Sequence, residues 1–170
     1  MQTNYNEIIP YLYVGNRYSI DDAYLFDLII NATPDIPFPS EILQKKYKQE
    51  YIRIPIRDEP FDSENLYNIL ETQNILDTIK KYISQNKKVL IHCNMGQQRS
   101  CAVIACYLIK YNNMNAHTAI EYCKKKRQMA FFGQVNFMDT IMKYDIIANI
   151  PPQKITQLVQ TRHNIQYVRC

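Results

Sequence analysis

Apolar and polar positions recur along this 170-residue chain with a period that changes from segment to segment. Between Leu66 and Ser84 the apolar residues stand at 66, 69, 70, 75, 76, 79 and 83, which is the spacing of one helical face. Ser100 to Tyr111 and Ala116 to Arg127 read as helices, the second with Asn115 as its cap. Gln134 to Asn149 predicts a further helix, closed by Pro151 and Pro152. Ser19 to Phe26 opens on a cap residue followed by acids, the start of a short helix. Shorter apolar runs predict strands. Ile8 to Val14 is a strand pair ending at the turn signal Gly15-Asn16, and Asp27 to Ala32 is a buried strand stopped by prolines at 34, 37 and 39. Tyr51 to Ile56 alternates as a strand, and Lys88 to His92 is short and apolar, as a central strand of a parallel sheet should be. Arg57 to Ser63 is a polar, acid-rich loop, and the stretch 153–170 offers a short helix through Ile155, Leu158 and Val159.

Strands alternating with helices predict an α/β fold, a central, mostly parallel twisted sheet of about four to five strands flanked by helices. The length suits one domain over 1–150, followed by a tail over 151–170. With 46% apolar and 21% charged residues the chain has the composition of an ordinary globular protein. Cysteines at 93, 101, 106, 123 and 170 show no CxxC spacing, and histidines at 92, 117 and 163 do not cluster. Neither a metal nor another cofactor is expected, nor a disulfide framework. No apolar run has membrane-spanning length, and the first residues lack the basic and apolar regions of a signal peptide. Cys170 is last rather than fourth from last, so no prenylation box is present. The expectation is a soluble cytoplasmic protein without membrane partners. The formal charge of +4 says little about partners, and nothing in the pattern speaks to oligomeric state.

The chemistry concentrates in Val89-Leu-Ile-His92-Cys93-Asn94-Met95-Gly96-Gln97-Gln98-Arg99-Ser100. A thiol stands six residues before an arginine with a glycine between, after a β-branched run and before a helical pattern. A loop of this length can curl around a tetrahedral oxyanion with its backbone N–H groups inward. The following helix contributes its positive end, and Arg99 contributes a planar fork. The same field lowers a thiol's pKa, so Cys93 is expected to be a thiolate able to attack a bound phosphoryl group. Gly96, within a chain of only three glycines, brings the backbone close to the anion.

This segment resembles the cysteine-dependent protein phosphatases, whose signature is His-Cys-x-x-Gly-x-x-Arg-Ser/Thr, and more narrowly an atypical dual-specificity phosphatase. The resemblance covers roughly residues 7–147 and includes Tyr11-Leu-Tyr-Val-Gly-Asn16, Leu28-Ile-Ile-Asn-Ala-Thr33, Ile54-Pro-Ile-Arg-Asp58, Ala105-Cys-Tyr-Leu-Ile109 and Asn136-Phe-Met138. It implies a phosphatase-like single domain and a role for each matched position. Cys93 would form a phosphocysteine, and Arg99 would bind the phosphoryl oxygens. Main-chain N–H groups of Asn94, Met95, Gly96, Gln97, Gln98 and Arg99 would hold the phosphate. Ser100 would donate to the sulfur, and His92 would order the loop from behind. An upstream aspartate supplies the leaving group's proton; Asp58 is the candidate, with Glu59 and Asp62 as nearby rivals.

Where phosphoinositide phosphatases carry basic loop residues, this chain has Asn94, Met95, Gln97 and Gln98, and it has no tryptophan for a Trp-Pro-Asp acid loop. The expected substrates are therefore proteins phosphorylated on tyrosine, serine or threonine. The alternatives are an RNA 5′-phosphatase of the same fold, weakly favoured by the basic run Lys124-Lys-Lys-Arg127, and a phosphoprotein-binding module. That run reads either as a solvated helix end or as a patch steering acidic partners. Cys101 reads as a buried helix residue or a redox partner of Cys93, and Phe131-Phe132 as core or as site rim.

Overall fold

A computed structural model describes residues 3–150 of the chain; the expected tail and its short helix lie outside the described residues. A mixed sheet runs through the molecule in the order β1-β2-β5-β3-β4. Its strands are β1 (Tyr5–Ile9), β2 (Leu12–Gly15), β3 (Leu28–Asn31), β4 (Glu50–Arg53) and β5 (Val89–His92). β1 and β2 form an antiparallel hairpin, while β2, β5, β3 and β4 are mutually parallel. The central strand β5 is buried along its whole length, which is why it reads as a continuous apolar run. Side chains alternate across the sheet: Leu28, Ile30, Val89 and Ile91 enter the main core, whereas Ile29 and Leu90 face a smaller cluster with Ala23 and Phe26. The rings of Tyr5 and Tyr13 each meet Phe26 edge-on at 5.3 Å and close that second face.

The main core is covered by α2 (Ser63–Thr72), α3 (Ile75–Ser84), α4 (Arg99–Asn112), α5 (Ala116–Lys126) and α6 (Met138–Ala148). Every residue of α4 from Arg99 to Ile109 is buried, because the sheet lies on one side and its neighbouring helices on the others. A short α1 (Glu41–Tyr47) buries no side chain, and Ile42 is exposed. Such a helix leaves no amphipathic stripe to read, and the pattern did not predict it.

Several boundaries differ from the sequence expectation for physical reasons. The helix expected over 66–84 is two helices, broken where Asn74 adopts φ +51°. Asparagine tolerates the left-handed region, so the break falls there, and the apolar spacing persists because both halves bury residues in one core. The segment read as a helix from Ser19 is a 3₁₀ stretch over Arg17–Leu25, and Asn16 is its cap, accepting from the Tyr18 N–H at 2.9 Å. Ser19 is buried instead and donates to Asn16 O. Asn115 caps α5 as expected, accepting from Thr118 N–H at 2.8 Å. The last helix starts at Met138 rather than Gln134, which leaves Gln134 to Phe137 as a connector whose polar groups bond elsewhere.

Candidate active site

Cys93 follows β5 at the carboxyl edge of the parallel strands, where the chain turns before entering α4. Open α/β sheets form their ligand crevices at that edge. The 93–99 loop is held from outside by its carbonyl groups. Asn94 O accepts from Arg17 N–H (2.9 Å), Gln97 O from Phe131 N–H (2.8 Å) and Gln98 O from Ala102 N–H (2.8 Å). Arg127 takes the two carbonyls between them, with Nε on Gly96 O at 2.8 Å and Nη2 on Met95 O at 3.2 Å. A trans peptide points its C=O and the next N–H to opposite sides, so these outward carbonyls turn the following N–H groups inward. The result is a concave ring of donors backed by the positive end of α4.

Sulfur sits in the floor of this ring. Cys93 Sγ accepts from Gly96 N–H at 3.2 Å and from Ser100 Oγ–H at 3.3 Å, and the residue is 1% exposed. Donors aimed at sulfur suit a group that carries negative charge. Gly96 has φ +65°, and a Cβ there would come within 2.7 Å of Gly15 O and 2.8 Å of Arg127 Nη2. The glycine is thus required both by its backbone region and by the close approach of β2.

Arg99 is buried in the first turn of α4, and its Nε lies 3.5 Å from Asp58 Oδ2. Among the three acids of the 57–63 loop, Asp58 is the one that faces the ring. Asp62 is used locally, accepting from Arg57 N–H at 2.6 Å and Asn65 Nδ2 at 3.2 Å, and Glu59 is exposed. A recess of about 200 Å³ on the Arg99 side is lined by Arg17, Asp35, Ile36, Pro37 and Asn94. A larger cavity of about 840 Å³ lies beyond Gln97, between Asn6, Lys126 and Phe132, and its lining includes none of Cys93, Arg99 or Asp58.

His92 is fully buried, and burial draws its pKa down to about 4, with the Cys93 backbone pulling the other way and the Arg53 charge adding to the fall. Its ring is therefore neutral at pH 7. Neither ring nitrogen completes a hydrogen bond of good geometry among the described residues. Cys101 lies in α4 with its Sγ–H toward Gly96 O at 3.5 Å, and burial pushes its thiol well up, away from the reactive thiolate. Phe131 is core, whereas Phe132 is 77% exposed and lines the larger cavity away from Cys93, so the two adjacent rings take opposite fates.

The structure brings together Cys93, Arg99, Ser100, Asp58, His92 and the 94–98 backbone. It adds residues that the sequence reading missed. Arg127 was grouped with a solvated basic run. Lys124 does pair with Glu121 on the surface at 2.9 Å, but Arg127 is 2% exposed and also bonds Asn6 Oδ1 at 2.7 Å. No local spacing separates it from the lysines. Gln98, expected only as a backbone donor, is buried and uses its side chain on the 132–136 connector.

The family described as "Dual specificity phosphatase, catalytic domain" matches residues 11–147. Human dual specificity protein phosphatase 9 is 30% identical over 146 residues, covering 82% of this chain and 35% of that protein. The Slingshot homolog protein phosphatase of Xenopus laevis is 26% identical over 160 residues, covering 90% and 21%. The chain thus spans about a third or less of the length of these relatives. Among solved structures, human DUSP28 superimposes with a TM-score of 0.74 at 19% identity, covering 88% of this chain and 98% of that one. Family match, fold and the ordered loop agree, and the chain belongs to the dual specificity phosphatase catalytic-domain family, within the cysteine-based protein tyrosine phosphatases.

Proposed function

We propose that this protein hydrolyses phosphotyrosine and phosphoserine/threonine in protein substrates through a phosphocysteine intermediate. In the first step Cys93 Sγ, as thiolate, attacks phosphorus; the P–O ester bond breaks, and Asp58 gives its proton to the departing oxygen. Arg99 and the ring of N–H groups hold the equatorial oxygens as charge spreads over them. In the second step Asp58 takes a proton from water, the oxygen bonds to phosphorus, and sulfur leaves as thiolate with Ser100 Oγ–H donating to it. Phosphate departs and the enzyme is restored.

The observation that carries this reading is the outward anchoring of every carbonyl from Asn94 to Gln98 around a sulfur that accepts two donors. The neutral side chains at 94, 95, 97 and 98 add no charge for a polyphosphorylated headgroup or an RNA triphosphate, which supports singly phosphorylated side chains as the substrate class. The test is turnover of p-nitrophenyl phosphate and of phosphopeptides in the presence of a chelator. Activity is expected in the wild type and absent in Cys93→Ser. Retained turnover in that variant, or activity confined to phosphoinositides or triphosphorylated RNA, would overturn the proposal.

A further inference from the structure

Asp58 stands on a loop that pairs with no strand, yet a general acid must be held within a fraction of an ångström of its leaving group. Asn136 Nδ2 donates to Asp58 Oδ1 at 3.0 Å and to Asp58 O at 3.1 Å, so one amide fixes both the carboxyl and the backbone of the same residue. Asn136 is itself tied to the 93–99 loop. Its N–H donates to Gln98 Oε1 at 3.2 Å, while Gln98 Nε2 donates to Gln134 O at 2.7 Å and Phe132 O at 3.3 Å. Gln98 is 6% exposed, and both ends of its amide are committed to this connector. The chain of contacts runs from the loop that carries Arg99, through Gln98 and Asn136, to Asp58.

We infer that Asn136 is a positioning residue for the proton donor, aiming Asp58 from the 93–99 loop through the side chain of Gln98. The inference rests on the reading of Asp58 as general acid. With Oδ1 occupied by an amide donor, the proton is carried on Oδ2, the oxygen that faces Arg99 at 3.5 Å. A bound phosphoryl group engages Arg99 and removes its pull on Oδ2; the amide of Asn136 then remains to hold the carboxyl in line. A neutral amide serves both steps. It bonds a carboxylic acid and a carboxylate alike, whereas a cation there would oppose the protonated form that the first step uses.

The test compares kcat/KM for p-nitrophenyl phosphate, whose leaving group needs little help, with that for a phosphoserine peptide, whose leaving group needs a proton. Asn136→Ala should slow the peptide by about 10- to 100-fold and the aryl ester by less than about 3-fold. Its effect should vanish in an Asp58→Asn background, because a mispositioned acid matters only while there is an acid. Inhibition by vanadate, which reads the ring of N–H groups, should be unchanged. Asn136→Asp keeps the backbone bond to Gln98 while replacing the donor by an acceptor; it should show the same selectivity and serves if the alanine variant does not fold. Equal losses on both substrates, or an undiminished effect of Asn136→Ala on top of Asp58→Asn, would sink the inference and leave the acid assignment standing. An Asp58→Asn variant that slows both substrates equally would instead remove the acid assignment, and the inference with it.

Discussion

Arg127 is a side chain whose loss would be felt at atoms it never shows to substrate. Its guanidinium is buried and satisfies Met95 O and Gly96 O, the carbonyls at the tightest part of the loop. Arg127→Met removes those donors and leaves buried acceptors without them, at about 1–3 kcal/mol of stability. The peptide planes at 95 and 96 would then be free to rotate, and the N–H groups inside the ring would lose their aim. We expect kcat/KM to fall by about 100-fold, as for the loss of an oxyanion donor, with weaker inhibition by inorganic phosphate. Steady-state kinetics with phosphate competition measures both, and an unchanged phosphate affinity would contradict the clamp. The same buried position explains why Arg127 was illegible beforehand. A basic run at a helix end looks the same whether its last member meets water or the backbone of a distant loop.

The loop and the helix that follows it behave as one element, and Gly96 shows what that element requires. Both Gly96 and Gly133 have positive φ, at +65° and +77°, so alanine at either position bears a similar backbone penalty of roughly 1 kcal/mol or more. Only at Gly96 does an added Cβ meet protein, against Gly15 O and Arg127 Nη2; around Gly133 there is nothing within 4 Å. Gly96→Ala is therefore expected to lower Tm more than Gly133→Ala and to remove activity, while Gly133→Ala stays active. Thermal unfolding of the two variants side by side is the measurement, and equal losses would refute the packing argument. Element boundaries tell a related story. The apolar spacing of 66–84 survives the break at Asn74 because both halves bury residues in the same core. The expected helix start at Gln134 was wrong because Asn136 spends its polar groups on Asp58 and Gln98, contacts remote in sequence.

For the molecule as a whole, His92 ties stability to pH. Its pKa is about 4 when folded against an ordinary 6.5, so between those values the unfolded chain binds the extra proton. Stability is therefore fully present above about pH 6.5 and declines as pH falls toward 4, in total by about 3 kcal/mol for this group. Tm followed from pH 7 to pH 4.5 should fall, and His92→Leu should flatten part of that fall. An identical acid dependence in the variant would show that the buried imidazole is not responsible. No described helix is long and apolar enough to cross a membrane.

Apolar periodicity with turn and proline signals was enough to establish the alternation of strands and helices and the central place of Val89 to His92, and the spacing of Cys93, Gly96 and Arg99 marked the contiguous Cys93 to Ser100 loop. These are local properties: a strand's burial, a glycine's freedom and a thiol-to-arginine spacing are written in neighbouring residues. What tertiary structure decided was which distant groups close around that loop. The approach of Asp58 to Arg99, Arg127 apart from its lysines, and the Gln98 to Asn136 link all depend on contacts between segments far apart in the chain. Hydrogen bonds of that kind carry no period, so only the packed sheet and helices could select them.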